Sequence, residues 1–120
     1  MKSILVVDDI SSLRSLIKAV INDLGSYTVD EASNGVIALQ KLKQQHYDLV
    51  ISDWNMPMMS GIELLGAMRN DDALKAIPVI MLTAETTKGN VQNAVALGIS
   101  GYITKPFTAE HLTSSLKRLM

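Results

Sequence analysis

A chain of 120 residues with 48% hydrophobic and 19% charged residues is long enough for one compact domain and too apolar to be disordered. Its formal net charge of −1 provides no general attraction to nucleic acid or anionic membranes, and the absence of cysteine excludes disulfides and thiolate chemistry. Its apolar runs are too short for a membrane span or a signal peptide. We therefore expect one domain over residues 1–120 of a cytoplasmic protein that binds neither nucleic acid nor membrane.

The first half of the chain alternates apolar runs with amphipathic segments. Residues 3–7 (SILVV) predict a buried strand, and apolar spacings of three and four predict a helix over about 11–24 that Gly25 ends. A more polar strand at 27–32 suits the edge of a sheet. Asn34 then caps a second helix. The residues predicted to face the core on this second helix are Val36, Leu39 and Leu42.

The middle of the chain repeats this pattern. Residues 48–53 (DLVISD) and 78–83 (PVIMLT) predict two more buried strands, and a loop follows the first of them at 54–61. Ser60 and Glu63 have the spacing of a capping box, which predicts that a helix begins there. The residues predicted to face the core on this third helix are Ile62, Leu65 and Met68.

The last part of the chain adds a weaker helix at about 87–97, a short strand at 101–104 and a helix capped by Thr108. The residues predicted to face the core on the last helix are Leu112, Leu116 and Leu119. Five β–α units in succession predict an α/β fold, in which helices cover both faces of a mostly parallel sheet.

Polar residues stand at the carboxyl ends of the predicted strands, where parallel sheets gather ligands. These residues are Asp8, Asp9, Asp53, Thr83 and Lys105. Three clustered carboxylates repel one another, and oxygen ligands without His or Cys favour a hard cation such as Mg²⁺. With a lysine and a threonine beside it, such a site predicts phosphoryl transfer to a carboxylate, with the cation and Lys105 neutralising the phosphoryl oxygens and Thr83 donating to one of them.

Each of these residues also has an ordinary structural interpretation. Asp9 could cap the first helix, and Asp53 could belong to a turn. Thr83 could be a β-branched strand residue, and Lys105 could be a solvated surface lysine. Their joint placement at successive strand ends favours a site. Three nearby methionines are instead expected to pack in the interior: Met56, Met58 and Met59.

The motifs VVDD, ISDWNMP, MLTAE and TKPF, in this order over nearly the whole chain, resemble the receiver domain of response regulators. DWNMP, TAE and GYITKPF are most similar to single-domain chemotaxis regulators of the CheY type. The resemblance implies a doubly wound, five-stranded parallel sheet of order 2-1-3-4-5. It also implies that Asp53 accepts a phosphoryl group from the phosphohistidine of a sensor kinase, and that Thr83 and Lys105 contact that group. The implied ligands of Mg²⁺, or alternatively Mn²⁺, are Asp8, Asp9, Asp53 and the backbone carbonyl of Asn55.

The same resemblance implies a switch and an output surface. Thr83 and Tyr102 would be the switch residues, and Asn55 and Glu85 would set the lifetime of the phosphoryl group. The implied output surface comprises Lys88, Val91, Val95 and Tyr102. The expected partners are a sensor histidine kinase, a downstream protein such as a flagellar motor switch component, and a phosphatase. The protein itself is expected to be a monomer.

Other functions stay open at this stage. Within the receiver interpretation, the chain could be a phosphorelay intermediate or the receiver of a larger regulator. An aspartyl-nucleophile phosphatase is disfavoured because Asn55 stands where a second acid is needed. A flavodoxin-like cofactor carrier is disfavoured because Asp8 and Asp9 would repel its phosphate. We therefore expect a signalling module, not an enzyme, that catalyses only its own phosphorylation and dephosphorylation.

Overall fold

A computed structural model describes residues 2–83, 88–105 and 107–119 of the chain. The strands in these ranges are β1 (Lys2–Val7), β2 (Tyr27–Ala32), β3 (Leu49–Asp53), β4 (Val79–Thr83) and β5 (Gly101–Thr104). The helices are α1 (Ser11–Leu24), α2 (Gly35–Gln44), α3 (Gly61–Arg69), α4 (Lys88–Leu97) and α5 (Ala109–Leu119). No described helix combines the length and the apolarity that crossing a bilayer demands.

All neighbouring strands pair in parallel, in the order β2-β1-β3-β4-β5. This finding confirms the predicted fold class and the implied strand order. The more polar strand β2 lies at an edge, as its composition predicted, whereas β3 and β4 are buried along their whole length. A central strand of a parallel sheet is covered on both faces, which explains why its sequence is continuously apolar.

Two apolar cores lie on opposite faces of the sheet. One packs residues of α2, α3 and α4 against Leu5, Val7 and Val50, and the other packs α1 and α5 against Ile4 and Val6. Successive residues of β1 thus alternate between the two cores, as the pleat of a strand requires. Because all the strands are parallel, their carboxyl ends lie at the same edge of the sheet.

The side chains predicted to cap helices form the expected hydrogen bonds. Asn34 Oδ1 accepts a hydrogen bond from the Ile37 N–H at 2.9 Å, and Ser60 forms a complete capping box with Glu63. Thr108 Oγ1 accepts from the His111 N–H at 3.1 Å. The carboxyl end of α1 lies at Gly25, whose φ of 153° few other residues adopt. These positions confirm the predicted helix boundaries.

The predicted inward face of α2 was partly wrong, and that of α3 was incomplete. On α2 the buried residues include Ala38, while Val36 is half-buried. On α3 the half-buried Ile62 packs against the core as predicted, and Leu64 is buried there as well. The prediction followed the largest apolar side chains and so passed over the small Ala38, which is fully buried in the core on this face of the sheet. Met58 was also expected to pack, yet it is 78% exposed, because its φ of 69° belongs to a tight turn at the surface of the β3–α3 loop.

Candidate functional site

Acidic and basic side chains from three strand ends meet at the carboxyl edge of the sheet. Asp8 and Asp9 follow β1, Asp53 ends β3, and one carboxylate oxygen from each lies within 4.8 Å of the other two. Lys105, which follows β5, places its Nζ 2.9 Å from Asp53 Oδ1 and 3.5 Å from Asp8 Oδ2. One ammonium group thus pairs with two of the three carboxylates, and the cluster keeps an excess of negative charge.

The backbone around Asp8 is held from two sides. Its N–H donates to the Ala32 carbonyl oxygen at 3.1 Å, and its carbonyl oxygen accepts from Arg14 Nη1 at 2.5 Å. Its carboxylate Oδ1 accepts from the Ile10 N–H at 2.9 Å. Asp9 does not cap α1, because the residue at the cap position is Ile10 and no side chain caps it. The structural interpretation of Asp9 as a helix cap is therefore wrong.

Asp53 is held where β3 meets its following loop. Its Oδ1 accepts from the Trp54 N–H at 2.9 Å and from Lys105 Nζ, and the residue is 7% exposed. The loop returns closely onto this strand end, with the Gly61 N–H donating to the Trp54 carbonyl oxygen at 2.8 Å. A Cβ atom at Gly61 would lie 2.1 Å from the Asp53 carbonyl oxygen, so only glycine fits there.

Asp8 is the electrostatically strained member of the cluster. Burial raises the pKa of its carboxyl above the ordinary value, and the charges of Asp53 and Asp9 raise it further, against the Ile10 N–H and Lys105, which lower it. Within the described residues, its Oδ2 is buried without a hydrogen-bond partner. A buried carboxylate oxygen of this kind, next to two other carboxylates, fits a hard divalent cation such as Mg²⁺.

The remaining predicted site residues lie around this cluster. Thr83 is fully buried at the end of β4, and its carbonyl oxygen accepts from the Lys105 N–H at 2.8 Å. Asn55 is exposed in the loop after β3, two residues beyond Asp53. Glu85 lies outside the described residues. The structure therefore brings Asp8, Asp9, Asp53 and Lys105 together and ties the backbone of Thr83 to Lys105.

The predicted output surface is described only in part. Tyr102 is half-buried on β5 and borders a cavity of about 260 Å³ between β5 and α5. Val95 on α4 is 61% exposed. The side chains of Lys88 and Val91 lie outside the described part of the chain.

Sequence reasoning missed three groups that shape the site. They are the Arg14 guanidinium, the Trp54 N–H and the bare Cα of Gly61. A glycine directly after a helix cap is a poor helix residue, and this could have indicated the close approach to Asp53. The Arg14 contact and the Trp54 N–H had no such signal, because both depend on how the chain is folded around the strand ends.

Comparison with known proteins agrees with this geometry. Residues 4–117 match the model of the response regulator receiver domain. The chain is 45% identical over 116 residues to the chemotaxis protein CheY-3 of Vibrio cholerae, covering 97% of this chain and 89% of that protein.

Solved structures show the same fold. The chemotaxis response regulator CheY4 of Vibrio cholerae is 38% identical and superposes with a TM-score of 0.92, over 100% of this chain and 99% of that chain. The response regulator TrrA of Thermotoga maritima, in complex with Mg²⁺–BeF, is also 38% identical, with a TM-score of 0.88 over 100% of both chains.

Proposed function

The chain belongs to the response regulator receiver family and is homologous to CheY chemotaxis regulators, and we propose that Asp53 is its phosphoryl acceptor. The donor is the phosphohistidine of a sensor histidine kinase. The observation that carries the proposal is the cluster in which Asp53 lies 2.9 Å from the Lys105 ammonium and beside two other carboxylates. We take residues 1–120 as one receiver domain, which acts as a monomeric cytoplasmic signalling module.

The proposed transfer uses the Asp53 oxygen that accepts no hydrogen bond from the described part of the chain. Because Oδ1 accepts hydrogen bonds from the Trp54 N–H and Lys105, we assign the attack on phosphorus to Oδ2. An O–P bond forms as the P–N bond of the phosphohistidine breaks, and the electron pair stays on the imidazole nitrogen, which takes up a proton. The Lys105 ammonium and the Thr83 hydroxyl then donate to oxygens of the transferred group. Hydrolysis of the acyl phosphate returns Asp53, so the chain catalyses only its own phosphorylation and dephosphorylation.

The acidic cluster would hold Mg²⁺, or Mn²⁺ in its place. The proposed ligands are Asp8, Asp9, Asp53 and the backbone carbonyl of Asn55. Bound there, the ion would neutralise charge on the phosphoryl oxygens. Two observations support this assignment: the buried Asp8 Oδ2 lacks a hydrogen-bond partner in the described chain, and TrrA was solved with Mg²⁺–BeF.

The proposed output is a change on the surface formed by α4, β5 and α5. A Thr83 hydroxyl drawn toward the phosphoryl group vacates space into which Tyr102 turns, and phosphorylation shifts the populations of the two arrangements. The surface, which includes Lys88, Val91 and Val95, then binds a downstream protein such as a flagellar motor switch component. Asn55 and Glu85 flank the path of the hydrolytic water, and a separate phosphatase can shorten the lifetime further.

Incubation with Mg²⁺ and acetyl phosphate tests the proposal directly. Mass spectrometry is expected to show an adduct on Asp53 that is labile to base and that Asp53→Asn abolishes. Asp72→Asn is the matched control, because the Asp72 side chain is 97% exposed and distant in sequence from the site. An adduct on another residue, or steady turnover of a phosphomonoester, would contradict the proposal.

Partner identity needs a second experiment. Pull-downs are carried out with this protein as bait, with and without acetyl phosphate. The phosphorylated protein is expected to retain a motor switch component, whereas the unphosphorylated protein is not. Transfer of the phosphoryl group onward to a second histidine protein would instead identify a phosphorelay intermediate.

A further inference from the structure

Arg14 on α1 contacts the peptide that joins two of the three clustered acids. Its Nη1 donates to the Asp8 carbonyl oxygen at 2.5 Å, its Nε donates to Glu31 Oε1 at 3.0 Å, and its side chain is 16% exposed. From this geometry we propose that Arg14 is a positioning residue that orients Asp8 and Asp9 toward a divalent cation. This inference rests on the proposed function, because it assigns that cation to the site.

Strand β2 anchors the chain on both sides of Asp8. The Asp8 N–H donates to the Ala32 carbonyl oxygen, and the Asp8 carbonyl oxygen is held by Arg14, whose other acceptor is Glu31. The carbonyl that Arg14 holds belongs to the peptide from which Asp9 extends. Because the Asp9 side chain is exposed, its direction depends on how this peptide is oriented. Releasing the carbonyl from Arg14 would therefore misdirect Asp9 in particular.

The Arg14 charge is compensated where it stands. Glu31 forms an ion pair with the guanidinium, and Lys41 Nζ donates to the Glu31 carbonyl oxygen at 2.5 Å, so that α2 also holds Glu31 in place.

A cationic side chain near a metal site would by its charge alone weaken binding of Mg²⁺. Removal of Arg14 thus has opposite expected effects: tighter binding if only its charge matters, and weaker binding if it positions the carboxylates.

The sign of this effect is measured by titrating Mg²⁺ into the metal-free protein. The fluorescence of Trp54, the single tryptophan, reports binding because its N–H contacts Asp53, and calorimetry checks the result. Arg14→Met is expected to raise the dissociation constant about tenfold, the lower end of the effect of losing a group that orients metal ligands. Arg14→Lys keeps the charge but lacks the forked donor that reaches both acceptors, so we expect an intermediate loss.

A matched control separates position from charge. Lys18→Met removes one positive charge from α1, one turn beyond Arg14, and is expected to leave the dissociation constant within about twofold of the parent. With acetyl phosphate as donor, Arg14→Met should need more Mg²⁺ for half-maximal phosphorylation yet reach the parent rate at saturation. If the substitution instead caused a general loss of structure, the phosphorylation rate at saturating Mg²⁺ and the unfolding midpoint of the metal-free protein would both fall.

The inference is overturned if Arg14→Met binds Mg²⁺ as tightly as the parent or more tightly. Should Arg14→Met not fold, Arg14→Lys decides, and parent-like affinity in that variant overturns the inference. Failure of the proposed function looks different, because the parent protein itself would then bind no Mg²⁺ or form no adduct on Asp53.

Discussion

Asp8 shows how a single residue can oppose folding and still suit the proposed metal site. Its carboxylate is almost completely buried, its pKa is raised mainly by that burial, and its Oδ2 lacks a hydrogen-bond partner in the described structure. Ionised Asp8 therefore destabilises the metal-free protein at neutral pH, because the folded state binds the proton more tightly than the unfolded chain does. A divalent cation bound at the proposed site would reverse this effect by favouring the ionised form.

Asp8→Asn should stabilise the metal-free protein at pH 7 by on the order of 1 kcal/mol while weakening Mg²⁺ binding. The gain should shrink as the pH falls through the raised pKa, because the parent then becomes neutral at this position as well. Urea unfolding in the presence of a chelator measures the effect. Asp9→Asn is the control: its side chain is exposed, so we expect a smaller change. A destabilised Asp8→Asn protein would contradict this account.

At the scale of elements, α3 links helix capping to the geometry of the site. Its first turn is closed by the Ser60–Glu63 capping box, and its first residue, Gly61, lies against the Asp53 carbonyl oxygen. The start of α3 thus sets how closely the loop returns to β3. A second glycine, Gly66, lies inside the same helix, and apart from its chain neighbours and the helix backbone no heavy atom of the described structure lies within 4 Å of the position that a Cβ would take.

Gly61→Ala and Gly66→Ala should therefore have opposite effects on stability. A Cβ at position 61 would lie 2.1 Å from the Asp53 carbonyl oxygen, so we expect a loss of about 3 kcal/mol and impaired phosphorylation. A Cβ at position 66 enters open space in a helix, where alanine is favoured over glycine by about 1 kcal/mol. Thermal unfolding of both variants tests the pair. Equal effects would mean that the close approach at Gly61 does not constrain the fold.

For the whole molecule, the edge strand β2 is tied to the connection before β3. The Tyr47 hydroxyl donates to Asp30 Oδ2 at 2.7 Å, and Gln45 Nε2 donates to that carboxylate and to the hydroxyl at 2.6 Å. Burial, followed by the hydrogen bond to Asp30, raises the pKa of Tyr47 to about 12. Protonated Tyr47 therefore contributes stability that is complete below pH 10 and is lost as the pH rises toward 12.

Between pH 10 and 12, this group alone should lower the free energy of unfolding by about 1.4 kcal/mol per pH unit. Tyr47→Phe should be less stable than the parent at pH 8 and should lack this part of the slope. Denaturant unfolding at several pH values gives the difference in the free energy of unfolding between the two proteins. Titrating groups that both proteins share contribute equally and cancel in this difference. A variant with the same slope as the parent would contradict the assignment of the raised pKa to Tyr47.

The sequence alone determined the fold class, the alternation of elements, the capping residues and the polar identity of the strand ends. These features depend on local periodicity and on capping chemistry, which neighbouring residues in the chain decide. The prediction that Asp8, Asp53 and Lys105 would meet followed from one topological premise, that parallel strands carry their carboxyl ends to the same edge.

The surroundings of those carboxylates follow from the folded chain and not from any one segment of it. That Ala38 and not Val36 faces the sheet, that Gly61 touches Asp53, and that Arg14 holds the Asp8 carbonyl all depend on distances between elements far apart in the chain. Periodicity along one element sets the direction of a side chain, but it does not set the separation of two elements, which results from packing of the whole core.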